Sequence, residues 1–119
     1  MENLRKVGAD KEDLAVEFLK GQGYQIITRN YRCRLGEVDI IAYDHQYLCF
    51  VEVKYRTSRQ NGRPEEAVDR RKQRKITKVA QFYLMKEQIT PDRDIRFDVV
   101  SIESDEIVLF QNAFEAITT

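Results

Sequence analysis

Residues 47–55, Tyr-Leu-Cys-Phe-Val-Glu-Val-Lys-Tyr, form a run that is apolar at both odd and even positions. Successive side chains on a strand point to opposite faces, so Leu48 and Phe50 bury on one side while Cys49, Val51 and Val53 bury on the other. A strand of that kind needs cover on both faces, which places it in the middle of a sheet with helices on each side. Into this run the sequence sets Glu52 and Lys54. Charges there are costly unless paired or bound to a cation.

The flanking segments fit the same architecture. Apolar residues recur at helical spacing over 4–21 (Leu4, Val7, Leu14, Ala15, Phe18, Leu19), and Gly21-Gln22-Gly23 ends that helix. Residues 24–28 are strand-prone, and Asn30 to Leu35 is polar enough to predict a loop. Gly36 opens a strand over 37–43, and Asp44-His45-Gln46 forms a turn into the central run. Thr57 to Arg63 is a loop by composition. A second helix is predicted from Pro64, with Glu65 and Glu66 at its positive end, to about Glu87. Its inward stripe is Val68, Ile76, Val79, Ala80 and Tyr83. Two further strands follow over 95–102 and 106–110, and residues 113–119 stay unassigned. The first three strands suit an antiparallel meander, while the helical crossover favours a parallel pair between the third and fourth. The expected fold class is α/β, a mixed five-stranded sheet flanked by helices in the order α-βββ-α-ββ, in a single domain over 1–119.

Composition excludes several classes. At 119 residues, 42% hydrophobic and 34% charged, the chain builds one core without disulfides or a membrane span. The first residues lack the apolar stretch of a signal peptide, so a cytoplasmic protein is expected. Cys33 and Cys49 form no CxxC pair, which argues against a multi-cysteine zinc site. A net charge of zero conceals a segment, Lys54 to Lys78, with ten basic and three acidic residues. A polyanion is the partner such a segment attracts, although a solvated helix face gives the same pattern.

The chemistry concentrates in Gly36-Glu37-Val38-Asp39 and Phe50-Val51-Glu52-Val53-Lys54. With Asp44 opposite Tyr47, the hairpin places Asp39 opposite Glu52 and Glu37 opposite Lys54, while a slip of one residue would send Asp39 to the other face. Two opposed carboxylates in an apolar setting repel, and a divalent cation relieves the repulsion. An all-oxygen donor set suits Mg²⁺ or Mn²⁺. Lys54 would then orient water or stabilise developing charge. The plainer reading of the same residues is a Glu52–Lys54 ion pair with Asp39 capping a turn.

Glu12-x-x-Ala15, Gly23-Tyr24, Asn30-Tyr31-Arg32, Gly36-Glu37-Val38-Asp39-Ile40-Ile41, Phe50-Val51-Glu52-Val53-Lys54-x-Arg56 and Ala67-Val68-Asp69-x-x-Lys72 together resemble the YraN family of uncharacterised bacterial proteins, across nearly the whole chain. That family is similar to archaeal Holliday junction resolvases and the wider PD-(D/E)xK, restriction-endonuclease-like superfamily. The resemblance implies a three-layer fold and Mg²⁺-dependent phosphodiester hydrolysis, with Asp39 and Glu52 as metal ligands and Lys54 as the catalytic lysine. It implies a site role for Glu12 on the first helix, and resolvase-like relatives imply branched DNA and a homodimer. Val38 stands where the superfamily often has proline, and Lys11 where the family often has glycine.

Lys72 interrupts the inward stripe of the second helix, four residues from both Val68 and Ile76. It either snorkels to solvent or reaches the carboxylates or a phosphate. Arg70, Arg71, Arg74 and Lys75 suit salt-sensitive contacts to a nucleic-acid backbone, which the resolvase resemblance implies is DNA, and Arg56 suits a carboxylate or a phosphate. Asp98 is expected to pair with Arg32 or Arg56. His45 has no nucleophile placed near it. Two rivals to a metal-dependent nuclease stay open: a nucleic-acid-binding module without chemistry, and a small protein-interaction domain.

Overall fold

The structure is a computed structural model that describes residues 4–56, 68–90, 92–103 and 106–118, with residues 4–9 and 56 as backbone only. The elements are α1 (Leu4–Gly21), β1 (Gln25–Cys33), β2 (Gly36–Asp44), β3 (Tyr47–Arg56), α2 (Arg70–Lys86), β4 (Ile95–Glu103) and β5 (Glu106–Phe114). The strands form one sheet in the order β1-β2-β3-β4-β5, antiparallel except for the parallel pair β3–β4.

The run 47–55 is the central strand, as its two apolar faces require. Phe50 packs with Ile76, Val79, Ala80 and Tyr83 of α2. Cys49 and Val51 pack with Ala15, Val16 and Leu19 of α1 on the opposite face. The layers are therefore α1, sheet, α2, and the expected α-βββ-α-ββ order with a mixed five-stranded sheet is found. No helix among the described residues is long and apolar enough to cross a membrane.

Four sequence expectations are corrected. β1 runs on to Cys33 through the stretch predicted as a loop. It is an edge strand, so Arg29, Asn30 and Arg32 stay exposed while the backbone still pairs with β2. α2 starts at Arg70 rather than Pro64: Asp69 is its N-cap and accepts from the Lys72 N–H at 2.8 Å. Residues 64–67 lie outside the described residues. β5 reaches Phe114, which stacks on Phe97 at 5.0 Å between ring centres. Leu14, expected on the buried stripe of α1, is 46% exposed, and Val16 is buried instead.

Gly36 is a position where the backbone requires glycine. Its φ is +145°, and a Cβ there would sit 3.3 Å from Val79 Cγ2. α2 can therefore lie close over the start of β2.

Candidate functional site

The β2–β3 register is the one the hairpin predicts. Asp44 pairs with Tyr47, and the ladder continues to Ile40 opposite Val51. There it stops, although β2 keeps pairing with β1 as far as Gly36 and β3 keeps pairing with β4 as far as Arg56. The two strands part at Asp39. Alternation along β2 changes at the same residue: Val38 belongs to the core beneath α2, whereas Ile40 and Ala42 belong to the core beneath α1. The Val53 N–H donates to Asp39 Oδ2 at 2.8 Å, so this carboxylate satisfies a backbone donor in the fork.

Glu52 occupies the α2 side of that fork and is 6% exposed. Its carboxyl lies within hydrogen-bonding reach of Asp39. Its Oε2 is buried with no hydrogen-bond partner. Lys72 Nζ approaches that oxygen to 3.8 Å, close enough for an ion pair but too far for a hydrogen bond. Burial, and then the neighbouring Asp39 carboxyl, hold the Glu52 pKa far above the usual carboxylate range, while the charges of Lys72 and Lys54 pull it down.

Lys72 reaches this position because Asp69 fixes the first turn of α2, so the charge that interrupts the inward stripe finds a buried carboxyl. Lys54 is half-buried one strand step beyond Glu52 on the same face of β3. Beyond it, the ring of Tyr55 is 44% exposed, and Lys11 Nζ lies 4.8 Å from the ring centre. Arg70, Arg71, Arg74 and Lys75 are all exposed on the outer side of α2, together with Lys78. Arg56 ends β3, and its side chain lies outside the described part.

Glu12 is placed differently from the resemblance. Its Oε1 accepts from Arg29 Nε at 3.1 Å and from Asn30 Nδ2 at 3.0 Å, while Asp13 takes Arg29 Nη2 at 2.6 Å. These two acids tie α1 to β1. Among the described residues, no group of three or more His, Cys, Asp and Glu side chains gathers as a metal site would. Asp39 and Glu52 are a pair rather than a triad. Glu37, expected opposite Lys54, faces solvent and pairs with Arg32 at 2.9 Å, because β2 has left β3 by that point.

Asp98 does not pair with Arg32, which is held by Glu37, and the Arg56 side chain named as its other expected partner lies outside the described residues. It is fully buried on the α1 side of β4, where it accepts from Tyr24 Oη at 2.6 Å, from Arg96 Nε at 2.9 Å and from the Asn112 N–H at 2.9 Å. Arg96 also donates to Asp44 at 2.7 Å. These partners fully engage the carboxylate, and its role is to lock β2, β4 and β5 together.

Asp69 and Gln73 support the site without standing out in the sequence. Asp69-x-x-Lys72 is an N-cap spacing, but Pro64 draws the expected helix start upstream. Gln73 is buried, and its amide donates to the Val68 carbonyl at 2.8 Å.

Residues 11–102 match a family model described as "Uncharacterised protein family UPF0102". A UPF0102 protein of Lachnoclostridium phytofermentans is 51% identical over 114 residues, covering 96% of this chain and 97% of its own. One from Persephonella marina is 47% identical over 91% of this chain and 92% of its own. One from Acetivibrio thermocellus is 48% identical over 94% and 93%. The matched span includes Asp39, Glu52, Lys54 and Lys72.

Proposed function

Since the chain belongs to the UPF0102 family, whose name states no reaction, the function has to be read from the site, and we propose that the protein is a Mg²⁺- or Mn²⁺-dependent phosphodiesterase acting on nucleic acid. The observation that carries this reading is the buried, unpartnered Oε2 of Glu52 beside the Asp39 carboxyl, with a lysine at 3.8 Å. Two carboxyls held side by side in a buried fork, one with an orphaned oxygen, fit a hard divalent cation. Mg²⁺ commonly uses only one or two protein carboxylates and completes its shell with water and phosphate oxygens. In that role Asp39 and Glu52 are the ligands, and the ion supplies charge stabilisation on phosphate and a more acidic bound water.

The remaining steps belong to the chain's own groups. Asp39 is held by the Val53 N–H, so its carboxylate does not swing out of the fork. Lys54, beside the pair, is suited to orient the attacking water or offset negative charge building on the phosphate. Lys72, 3.8 Å from Glu52 Oε2, is free to turn to a phosphate oxygen once Glu52 has another partner. Arg70, Arg71, Arg74 and Lys75 face outward from the same helix and suit sequence-independent phosphate contacts. Arg56 continues β3 past Lys54 and is assigned to the same contacts.

A second reading has an observation of its own. Glu12 is engaged by Arg29 and Asn30, and among the described residues the carboxyl pair has no third acid beside it, as expected of a module that binds nucleic acid without cutting it. Cleavage assays on linear and branched DNA and on RNA, with Mg²⁺ and with Mn²⁺, separate the two. Activity that Glu52→Gln abolishes and Lys54→Ala lowers by about 10²–10³ supports hydrolysis. Binding without cleavage under every condition supports the module.

A further inference from the structure

The two edges of the sheet are unlike. β1 is closed to a further strand: its register shifts between Ile26 and Thr28, Asn30 takes a left-handed φ of 53°, and Arg29 and Arg32 are held in ion pairs. Bulges and charges of this kind block edge-to-edge pairing. β5 lacks these devices along its first half. From Glu106 to Phe110 it pairs with β4 in unbroken register, and its own register shift and left-handed residue, Asn112 at φ 53°, come only beyond Phe110. No Lys, Arg or Pro occurs in Glu106–Phe114, although 34% of the chain is charged. Ile107-Val108-Leu109-Phe110 is apolar on both faces, as a strand in mid-sheet would be. Ile107 and Leu109 pack on the α1-side core and Phe110 on the α2-side core, while Val108 is left 41% exposed. Among the described residues, no strand pairs with its outer edge.

We propose that β5 is the homodimer interface, joining antiparallel to β5 of a second copy to make one continuous sheet through both molecules. The case for a second copy is self-complementarity. A two-fold axis normal to the sheet reverses the strand direction but keeps each face on its own side. Val108 and Phe110 of both copies then meet on the α2 side, and Ile107 and Leu109 meet on the α1 side. No like charges are opposed within 107–114, because that segment has none. A foreign charged peptide would find nothing there to read. The proposal is independent of the hydrolytic reading.

The test is sedimentation velocity of the full chain across a concentration series, with Val108→Lys as the edge-blocking variant and Met85→Lys as the control. Met85 is 68% exposed and belongs to α2, not to β5. Wild type and Met85→Lys are expected to be dimers, and Val108→Lys a monomer with unchanged circular dichroism. Hydrogen exchange on the wild-type protein gives a readout that does not depend on the variant folding: amides of 107–110 should exchange more slowly at high than at low protein concentration. A wild-type monomer throughout the series, a dimeric Val108→Lys, or β5 exchange that ignores concentration would each overturn the proposal.

Discussion

Glu52 has the least ordinary environment of the charged residues in the sheet. Its carboxyl binds a proton more tightly in the folded protein than in the unfolded chain, chiefly because it is buried and secondarily because Asp39 adjoins it. A group with a raised folded pKa contributes stability that is complete below its ordinary value of 4.5 and is lost as pH climbs towards the raised one. Metal-free protein should therefore lose stability progressively from mildly acidic through neutral to mildly alkaline pH. Glu52→Gln, which cannot titrate, should flatten that slope and equal or exceed wild type at its alkaline end. Urea melts at a series of pH values in a chelating buffer check this. A slope equal in both proteins would place the pH dependence elsewhere.

The carboxyl pair itself was legible in the sequence, because a glutamate set in an apolar strand calls for a partner or a cation, and the hairpin register brought Asp39 towards it, although the parting of β2 from β3 at Asp39 was not foreseen. The state of Glu12 was not legible. Its partners, Arg29 and Asn30, sit on a strand that the polar sequence from Asn30 to Leu35 disguised as a loop. The environment of Asp98 was hidden for a similar reason: Arg96 is two residues away on the same strand, but Tyr24 and Asn112 reach it from other parts of the chain, and no local pattern announces that meeting.

Among the elements, α2 links fold to site. Its buried side, from Ile76 to Tyr83, sets the height of the helix over the sheet, and its first turn delivers Lys72. Asp69 holds that turn, so Asp69→Ala should cost about 1 kcal/mol, as removal of an N-cap side chain usually does. The measure is a lower urea midpoint with an unchanged m-value. The outer side of α2 carries a different prediction. If it tracks a phosphate backbone, replacing Arg70, Arg71, Arg74 and Lys75 by Gln should weaken binding to all sequences alike. It should also flatten the plot of log affinity against log salt by about 0.9 for each phosphate no longer neutralised. An unchanged salt slope would return those residues to a solvated surface. The start of α2 was hard to place from sequence because Pro64 with two following glutamates is a strong helix-opening signal, and Asp69 competes with it only through spacing.

At the scale of the whole molecule, the sheet divides the labour. The α1 side holds the Tyr24–Arg96–Asp98 lock, which joins strands near the β2–β3 turn. The α2 side holds the fork, where β2 and β3 separate and leave two acids between them. With β5 joined to its copy, the two forks would lie on the same face, and the two copies of β3 would be about five strand spacings apart, or roughly 24 Å. Nothing in the local sequence indicates that arrangement, since the edge position of β5 depends on the topology of the entire chain.

The functional reading depends on Asp39 and Glu52 sharing one divalent cation. Calorimetric titration of Mn²⁺ into the metal-free protein at neutral pH, without nucleic acid, isolates that step. The expected result is one site per chain, proton release on binding as Glu52 gives up its proton, and loss of both signals in Glu52→Gln and in Asp39→Asn. Binding that persists undiminished in both variants, or wild type that takes up no ion, would contradict it.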